Sequence, residues 1–370
     1  MRHDVAIYSP FAAEQYSRSG KFGGGAERQT YLLAHALSRD GIRVAHIVLP
    51  VDDPLPPPNS NLTLVERGRY NGAIPLAGKF LEARLIWRGL DSADAAVYIV
   101  RTGSPALGVA GAFCRLRRRR LIFASSTDAD FTLTTLTERI RSVVYRGGLR
   151  CVDAVVVQTG EQLRLVQERF PRIGRATHIP SFAEPMERAE RPGKAFLWIG
   201  RIVDYKAPLE FVKLARAMPE ATFRLVATPF GAHRALYDEL VRQAADVPNL
   251  EILNSRPHRE LMRLVAEAVA VVSTSHSEGM PNIFLEGWAS GVPALTLDFD
   301  PDGTIATRGI GAAAGGSWAA FVDAARRLWS SRHDTQEVAD ACRAYIKEVH
   351  GLAAVGRRWS GLISEIAAAR

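Results

Sequence analysis

Short apolar runs separated by amphipathic stretches organise most of this chain. Apolar runs of roughly 4–8 residues predict buried strands, whereas apolar positions three and four apart, as in 26–39, predict a helix. Strands that alternate with helices indicate βαβ units and therefore a doubly wound parallel sheet. In the first half of the chain the predicted strands cover 4–9, 43–49, 95–100, 121–124 and 154–158.

The alternation stops at 181–194, where Pro185 and Pro192 occur and large apolar residues are few. Such a stretch predicts a boundary between domains. After it the alternation resumes. The strands predicted there are 195–199, 222–227, 250–254, 268–275 and 294–297, and the helices are 209–217, 234–245 and 283–290.

These patterns predict an α/β protein with two Rossmann-like domains, over 1–182 and 191–350. A final segment, 351–370, carries Trp359 and Leu362 at helical spacing and predicts a C-terminal helix. A length of 370 residues agrees with two domains, because a single hydrophobic core seldom grows that large.

The composition is that of an ordinary globular protein, with 47% hydrophobic and 23% charged residues. No apolar stretch reaches the length of a membrane span, and the N-terminus lacks the apolar core of a secretion signal, so we expect a cytoplasmic protein. Cys114, Cys151 and Cys342 are scattered without metal-ligand spacing. We therefore expect buried thiols and no metal site.

Positive charge is concentrated in the first half. Up to Glu190 there are 26 Lys and Arg against 19 Asp and Glu, so 26 − 19 = +7 of the total +8 lies there. The densest cluster can hold an anionic membrane surface or the phosphates of a lipid carrier. It can equally be a solvated helix end, where the helix dipole favours cations; nucleic acid is disfavoured because no aromatic residues interleave the arginines. The cluster comprises Arg115, Arg117, Arg118, Arg119 and Arg120.

Two acids follow the predicted strand 268–275. Glu278 lies in a Gly/Pro loop and Glu286 about one turn into the next helix, for which Asn282 is a good N-cap. Open α/β sheets bind ligands at this end of their strands, and carboxylates accept hydrogen bonds from vicinal hydroxyls. The pattern suits a sugar and a ribose, although by spacing alone the pair can also be a loop acid and a helix-surface acid.

The whole segment resembles the Glu-x7-Glu motif of the retaining family 4 glycosyltransferases, including the Glu-Gly-x-Pro loop and the closing Ala-Ser-Gly-Val-Pro at 289–293. The resemblance implies that Glu278 contacts the donor sugar and Glu286 the nucleotide ribose. It also implies that the residues between them line the donor site. These are Gly279, Met280, Pro281, Asn282 and Ile283.

A glycine-rich loop follows the first predicted strand and opens the helix over 26–39. Gly24 and Gly25 lack a Cβ, so backbone N–H groups there can approach an anion at the helix N-terminus. A flexible turn is the alternative. A dinucleotide fingerprint is disfavoured, since Arg28 stands where a third glycine is required. The family has a similar Gly-Gly-x-Glu loop, which implies that Gly24 and Gly25 approach the donor phosphates or the acceptor.

Two cations follow the strand 195–199. Arg201 offers a planar fork for phosphate oxygens and Lys206 a mobile point charge, and together they can neutralise a diphosphate leaving group. By charge pattern alone a solvated loop is the simpler interpretation. The loop resembles the family's Gly-Arg…Lys loop, and the resemblance assigns both cations to the donor diphosphate.

The sequence departs from the family after the strand 121–124. Many members place a histidine there against the donor sugar, but 124–128 contains none, so Asp128 or a nearby hydroxyl is our candidate for that role. Asp128 and Asp130 form an Asp-x-Asp pair, as in the metal sites of GT-A glycosyltransferases. A metal is not required if Arg201 and Lys206 neutralise the diphosphate.

The resemblance implies a GT-B glycosyltransferase, in which two Rossmann-like domains face a cleft and the last helix returns to the first domain. It implies transfer of a hexosyl unit from a UDP- or GDP-sugar, without a further cofactor, to a glycan or polyprenyl-linked acceptor at the inner membrane face. Retention then follows a front-face mechanism. A sugar-nucleotide 2-epimerase and a non-catalytic sugar-nucleotide or glycan-binding module are the alternatives.

Overall fold

The computed structural model describes residues 1–18, 24–69, 77–101, 103–132, 139–171, 173–187, 193–229, 231–276 and 278–369. The chain divides into two compact units. The first comprises Met1–Phe182 together with Leu352–Arg370, and the second comprises Ala183–Gly351.

The first unit is built on a seven-stranded parallel sheet in the order β3-β2-β1-β4-β5-β6-β7. Val5 on an inner strand pairs with Val44 on one side and Val97 on the other, and all three are fully buried. Apolar residues on both faces are expected where helices cover a parallel sheet on both sides. The strands are β1 His3–Tyr8, β2 Val44–Val48, β3 Leu62–Glu66, β4 Ala95–Arg101, β5 Arg120–Ala124, β6 Ala154–Val157 and β7 Ala176–His178.

Helices cover both faces of this sheet. Alternate residues of β1 enter two separate cores, Val5 and Ile7 on one face and Ala6 and Tyr8 on the other. The helices are a 3-10 helix Pro10–Tyr16, α1 Gly25–Arg39, α2 Ala77–Ala93, α3 Ala106–Arg117, α4 Ala129–Thr132, α5 Arg139–Leu149 and α6 Gly160–Arg169.

The second unit has a six-stranded parallel sheet in the order β10-β9-β8-β11-β12-β13. Its strands are β8 Ala195–Arg201, β9 Phe223–Thr228, β10 Leu250–Asn254, β11 Ala268–Ser273, β12 Ala294–Thr296 and β13 Gly311–Ala313. Its helices are α7 Pro208–Ala217, α8 Arg234–Ala244, α9 His258–Ala266, α10 Asn282–Ala289, α11 Thr304–Arg308, α12 Trp318–Ser330 and α13 Gln336–Tyr345, with 3-10 turns at Asp204–Lys206, Gly231–His233 and Pro301–Gly303 and a π-helical turn at Ile346–His350.

The last helix, α14 Leu352–Ala368, belongs to the first unit. Trp359, Leu362 and Ile366 are buried in the core that α14 shares with α1. Among the described residues, no helix combines the length and the apolar character that a bilayer span requires.

The predicted pair of doubly wound parallel sheets is confirmed. In each sheet the strand order reverses once, between β1 and β4 in the first unit and between β8 and β11 in the second. Ligands of open α/β sheets bind at the carboxyl ends of the strands at such a reversal. The two reversals therefore define where each unit can bind a ligand.

The three cysteines are free thiols. Cys114 and Cys342 are buried, and burial raises the pKa of both thiols, that of Cys342 to about 12. Cys151 is partly exposed, which corrects the expectation that all three are buried.

A buried histidine makes the first unit sensitive to acid. His46 on β2 is fully buried, and its Nδ1 lies 2.7 Å from the Tyr16 hydroxyl, while Nε2 has no partner in the described part of the chain. Burial, with a smaller effect of His35, lowers the pKa of His46 to about 3 from its ordinary 6.5. The unfolded chain therefore takes up a proton at a pH where the folded chain does not.

We predict that stability falls as the pH drops from about 6.5 towards 3, because protonation of His46 favours the unfolded chain. At pH 5 the loss from this group is about 2 kcal/mol. Urea unfolding at pH 7 and pH 5 measures it. His46→Gln should reduce the difference between the two pH values, and His333→Gln, at an exposed histidine, should not. If the free energy of unfolding changes equally between pH 7 and pH 5 in the wild type and in His46→Gln, the prediction is contradicted.

Candidate functional site

The second unit brings two loops together at its strand-order reversal. One follows β8 and the other follows β11, the two neighbours in the sheet. β8 continues two residues beyond the predicted end at Ile199, so Arg201 is the last strand residue and has an exposed side chain. Lys206 closes the 3-10 turn that follows, and Pro208 begins α7.

Hydrogen bonds join the backbones of the two loops. The His276 N–H donates to the Tyr205 carbonyl at 2.9 Å, and the Thr274 hydroxyl donates to the Lys206 carbonyl at 2.8 Å. The Trp198 indole N–H donates to the same hydroxyl at 3.1 Å. Because Thr274 is fully buried, this network holds the Lys206 backbone against the end of β11.

Lys206 and Glu278 form an ion pair between these loops. Lys206 Nζ donates to Glu278 Oε1, and the Ser275 hydroxyl donates to the same oxygen at 3.0 Å. The side chains of Lys206 and Glu278 are only 19% and 14% exposed, so solvent screens the pair less than a surface pair. The structure thus brings together two of the predicted site residues from loops 72 positions apart in sequence.

Gly200 permits this approach. A Cβ at Gly200 would lie 2.9 Å from the Trp198 ring and 3.3 Å from Cδ of Lys206. The first distance is shorter than real Cβ contacts, so a side chain at Gly200 would displace the ring or the lysine stem. The glycine before Arg201 therefore serves the packing of the Lys206 side chain.

The helix that carries Glu286 begins differently from the prediction. Asn282 is the first residue of α10 rather than its N-cap; Pro281 is the N-cap residue, and no side chain caps this end. The reason is that the carbonyl of Pro281 already accepts from the Phe284 N–H at 3.1 Å, which starts the helix one residue earlier. Asn282 and Ile283 are partly exposed in the first turn.

The rest of the loop between the two acids is buried. Gly279, Met280 and Pro281 are all buried, and Met280 packs in the core beside α10. The Met280 side chain therefore anchors the loop in the core.

Glu286 has a partner that the sequence did not indicate. His258, the first residue of α9, places Nε2 3.1 Å from Glu286 Oε1, and the two side chains are 31% and 20% exposed. The signal that was missed is positional. His258 opens the helix after β10, and parallel strands bring the starts of their following helices to one edge of the sheet.

A second missed pair borders the same edge. His276 Nδ1 lies 2.5 Å from Asp298 Oδ2, and the His276 side chain is 63% exposed. Asp300, in the same loop as Asp298, accepts from the N–H groups of Ile305 at 2.7 Å and Ala306 at 3.0 Å. The Asp300 carboxylate therefore caps the start of α11, and both of its oxygens are engaged by backbone N–H groups.

The glycine loop lies in the first unit. Gly24 is the N-cap residue of α1, and Gly25 is its first residue. A Cβ at Gly24 would clash with the Glu27 carboxylate. The earlier part of the loop, Phe22 and Gly23, lies outside the described residues.

Asp128 and Asp130 also lie in the first unit, after β5. Asp130 is buried and accepts from the N–H groups of Gly103 at 2.9 Å and Ser126 at 2.8 Å. Its carboxylate therefore organises the loop. Asp128 is partly exposed just before α4, beyond the carboxyl end of β5. Among the described residues, no three His, Cys, Asp or Glu side chains come together as a metal site.

The arginine cluster spans the end of α3, the turn after it and the start of β5. Arg118 is the C-cap residue in the left-handed conformation, with φ of 54°. Three of the cluster's arginines are paired with acids, which removes much of its free charge. The pairs are Arg117 with Asp91 at 2.8 Å, Arg119 with Asp94 at 3.0 Å and Arg120 with Asp153 at 2.8 Å.

Comparison with known protein families identifies the second unit. Residues 193–331 match the family model described as glycosyl transferases group 1. This segment includes both loops of the site and both glutamates. No curated protein matches the chain.

Solved structures match over the whole chain. Sucrose-phosphate synthase from Thermosynechococcus elongatus superposes with a TM-score of 0.77 at 15% identity over 100% of both chains. Anabaena HepE, solved with UDP and glucose, gives 0.71 at 14% identity over 98% of this chain and 100% of its own. WaaG, a glycosyltransferase of lipopolysaccharide biosynthesis, gives 0.69 at 14% identity over 97% and 99%. The predicted GT-B fold is confirmed.

We predict that Lys206 and Glu278 stabilise the second unit as a coupled pair. Lys206→Met should cost about 1–3 kcal/mol, because it leaves a mostly buried carboxylate with fewer partners. Lys206→Met with Glu278→Gln should cost less than the sum of the single changes, which a double-mutant cycle in urea measures.

The matched control is Lys213, which pairs with Glu210 one turn along α7 and is 53% exposed. Lys213→Met should change stability by less than about 0.5 kcal/mol. Additive effects of the Lys206 and Glu278 changes would contradict the coupling.

Proposed function

We propose that this chain, whose second unit carries a glycosyl transferases group 1 domain, is a retaining glycosyltransferase. It transfers a sugar from a nucleoside diphosphate sugar to a hydroxyl of a glycan or lipid-linked acceptor. The observation that carries the proposal is the Lys206–Glu278 pair at the strand-order reversal of the second sheet. A cation and an acid at that edge provide contacts for a diphosphate and for sugar hydroxyls.

The donor is a UDP- or GDP-sugar. The exposed Arg201 at the end of β8 offers two parallel N–H donors to phosphate oxygens. Lys206 can give its remaining N–H donors to the same group while one is bonded to Glu278. Both cations would stabilise the negative charge that develops on the departing diphosphate. The structural neighbour HepE, solved with UDP and glucose, supports this donor class.

The two glutamates have separate roles in this proposal. Glu278 accepts hydrogen bonds from the hydroxyls of the transferred sugar, since Lys206 and Ser275 hold one of its oxygens. Glu286 accepts from the ribose hydroxyls, with its Oε1 held by His258. The backbone from Gly279 to Ile283 lies between them and lines the nucleotide.

Retention follows a front-face course. Glu278 is held as a hydrogen-bond acceptor beside a cation, an arrangement that lowers its value as a nucleophile. The leaving phosphate oxygen instead takes the proton of the acceptor hydroxyl while the sugar passes through a short-lived ion pair. Exclusion of water would then protect the donor from hydrolysis. In the first unit Gly24, Gly25 and Asp128 are our candidates for contacts with the sugar or the acceptor.

The acceptor in this proposal is a cell-surface glycan or its polyprenyl-linked precursor, used at the inner membrane face. The neighbour WaaG acts in lipopolysaccharide biosynthesis, which supports this class. We assign the membrane contact to Arg115 and Arg118, which lie one residue before and two residues after Leu116. Leu116 is 73% exposed.

We predict that Glu278→Gln reduces sugar transfer at least about 100-fold while nucleotide affinity changes little, because its contacts are to the sugar. Lys206→Ala should raise the dissociation constant of UDP or GDP by roughly 10–100-fold, since it removes a charged hydrogen bond. The donor is first chosen from a panel of UDP- and GDP-sugars by thermal shift. Transfer is then measured by release of the nucleotide, and binding by calorimetry.

Lys213→Ala, in the exposed pair on α7, is the control and should behave as wild type. Transfer at the wild-type rate in both Glu278→Gln and Lys206→Ala would refute the assignment.

The membrane contact is tested with vesicles. Arg115→Gln with Arg118→Gln should weaken binding to anionic phosphatidylglycerol vesicles roughly thirtyfold, at about 1 kcal/mol per arginine near the surface. Cosedimentation measures the binding, and neutral phosphatidylcholine vesicles give the baseline. Equal binding of wild type and variant to the anionic vesicles would rule out this surface.

A further inference from the structure

Arg101 lies at the carboxyl ends of the strands in the first unit's sheet. It is the last residue of β4, which neighbours β1 at the strand-order reversal. The helix that follows β1 in this region begins at Gly25, and its N-cap is Gly24. Open α/β sheets bind their ligands at such strand ends, beside the reversal of strand order, and Arg101 lies at one of them.

Arg101 has no partner. Its side chain is partly buried and its Nε is fully buried, yet it makes no hydrogen bond and no ion pair within the described part of the chain. Among the described residues, two other poorly exposed cations each pair with an acid. Arg67, which is 6% exposed, bonds Glu82 at 2.8 Å, and Lys206 bonds Glu278. A cation that has lost water without gaining a partner is costly and needs an explanation.

The acids near Arg101 do not neutralise it by contact. Burial lowers the pKa of Arg101 to about 10, and Asp130 and Glu27 act in the opposite direction through their charge. The side chain is therefore a cation at neutral pH. Asp130 is already occupied, because its oxygens accept from Gly103 at 2.9 Å and from Ser126 at 2.8 Å.

A crevice with room for about one water molecule lies beside Arg101. Amide and hydroxyl groups and several apolar side chains line it, and its described lining residues include no carboxylate. Gln29 in this crevice is held by Phe182, through bonds of 2.8 and 2.7 Å to its backbone. Gln158 donates to the Ser125 carbonyl at 3.2 Å. These amides are fixed and do not compete for the guanidinium.

We infer that Arg101 is the receptor for an oxyanion, a phosphate or a carboxylate, carried by the acceptor substrate. A guanidinium binds either group through two parallel N–H···O bonds, and an anion would supply the charge that Arg101 lacks. Glu27, in the first turn of α1, can then accept from a hydroxyl of the same molecule. The inference rests on the proposed function and adds an acceptor class to it.

Two measurements on the full chain test the inference. The first is stability without ligand. Arg101→Met should raise the Tm by roughly 2 °C, because it removes an unpaired, desolvated charge. A structural role for Arg101 predicts the reverse. A clear fall in the Tm of this variant would overturn the inference.

The second measurement is the response to anions, by thermal shift and calorimetry. Inorganic phosphate, glucose 6-phosphate and glucuronate are the probes, and glucose is the uncharged control. At least one anion should raise the Tm of the wild type, and Arg101→Met should abolish that response. Arg101→Lys should keep a response weakened about tenfold in affinity, since lysine lacks the planar fork. Arg164→Met, at an exposed arginine of α6, should respond as wild type.

The affinities for UDP and GDP show whether the oxyanion that Arg101 binds belongs to the acceptor or to the donor diphosphate. If Arg101 binds the acceptor, Arg101→Met should change their affinity less than twofold. A large loss of UDP or GDP binding would overturn the acceptor assignment and place Arg101 at the donor diphosphate.

The remaining outcomes separate this inference from the proposed function. A wild type that binds UDP or GDP but responds to no anion probe overturns the inference alone. A wild type that binds neither nucleotide overturns the proposed function, and an Arg101-dependent anion response would still support the anion site.

Discussion

The common direction of the strands within each sheet is the constraint on which the rest of this structure depends. Parallel strands place all their carboxyl ends on the same side of the sheet. In each sheet the strand order reverses once, between two inner strands. Residues far apart in sequence therefore meet there. Lys206 follows β8 and Glu278 follows β11, yet they form an ion pair because these strands are neighbours.

The two units differ in whether the charged side chains at the carboxyl ends of their strands have partners. In the second unit Lys206 pairs with Glu278, and His258 lies within hydrogen-bonding distance of Glu286, so each group is held in one orientation before a ligand binds. In the first unit Arg101 has no such partner among the described residues. A pair of opposite charges preorganises a site at little cost in stability, whereas an unpaired buried cation lowers the stability of the fold and favours binding of an anion.

The sequence predicted the central strands well and the edge elements poorly. β1, β4, β8 and β11 are buried on both faces and read as apolar runs. The edge strand β3 was not predicted, because only its first residue is buried and it includes Thr63 and Glu66. The helix start at Asn282 was placed one residue late, since a backbone carbonyl rather than the amide side chain begins the hydrogen-bonding pattern there.

By itself the sequence determined the fold class and indicated the loops of the candidate site, because hydrophobic periodicity and local turn residues act over a few positions. Only the tertiary structure decided which charged groups meet. His258 contacts Glu286, Asp130 accepts hydrogen bonds within its own loop, and Arg101 has no partner in the part of the chain that the structure describes. Each outcome depends on which strands are neighbours and which side chains lose water on folding. Those are properties of the packed sheet, in which contacts join residues far apart in the chain.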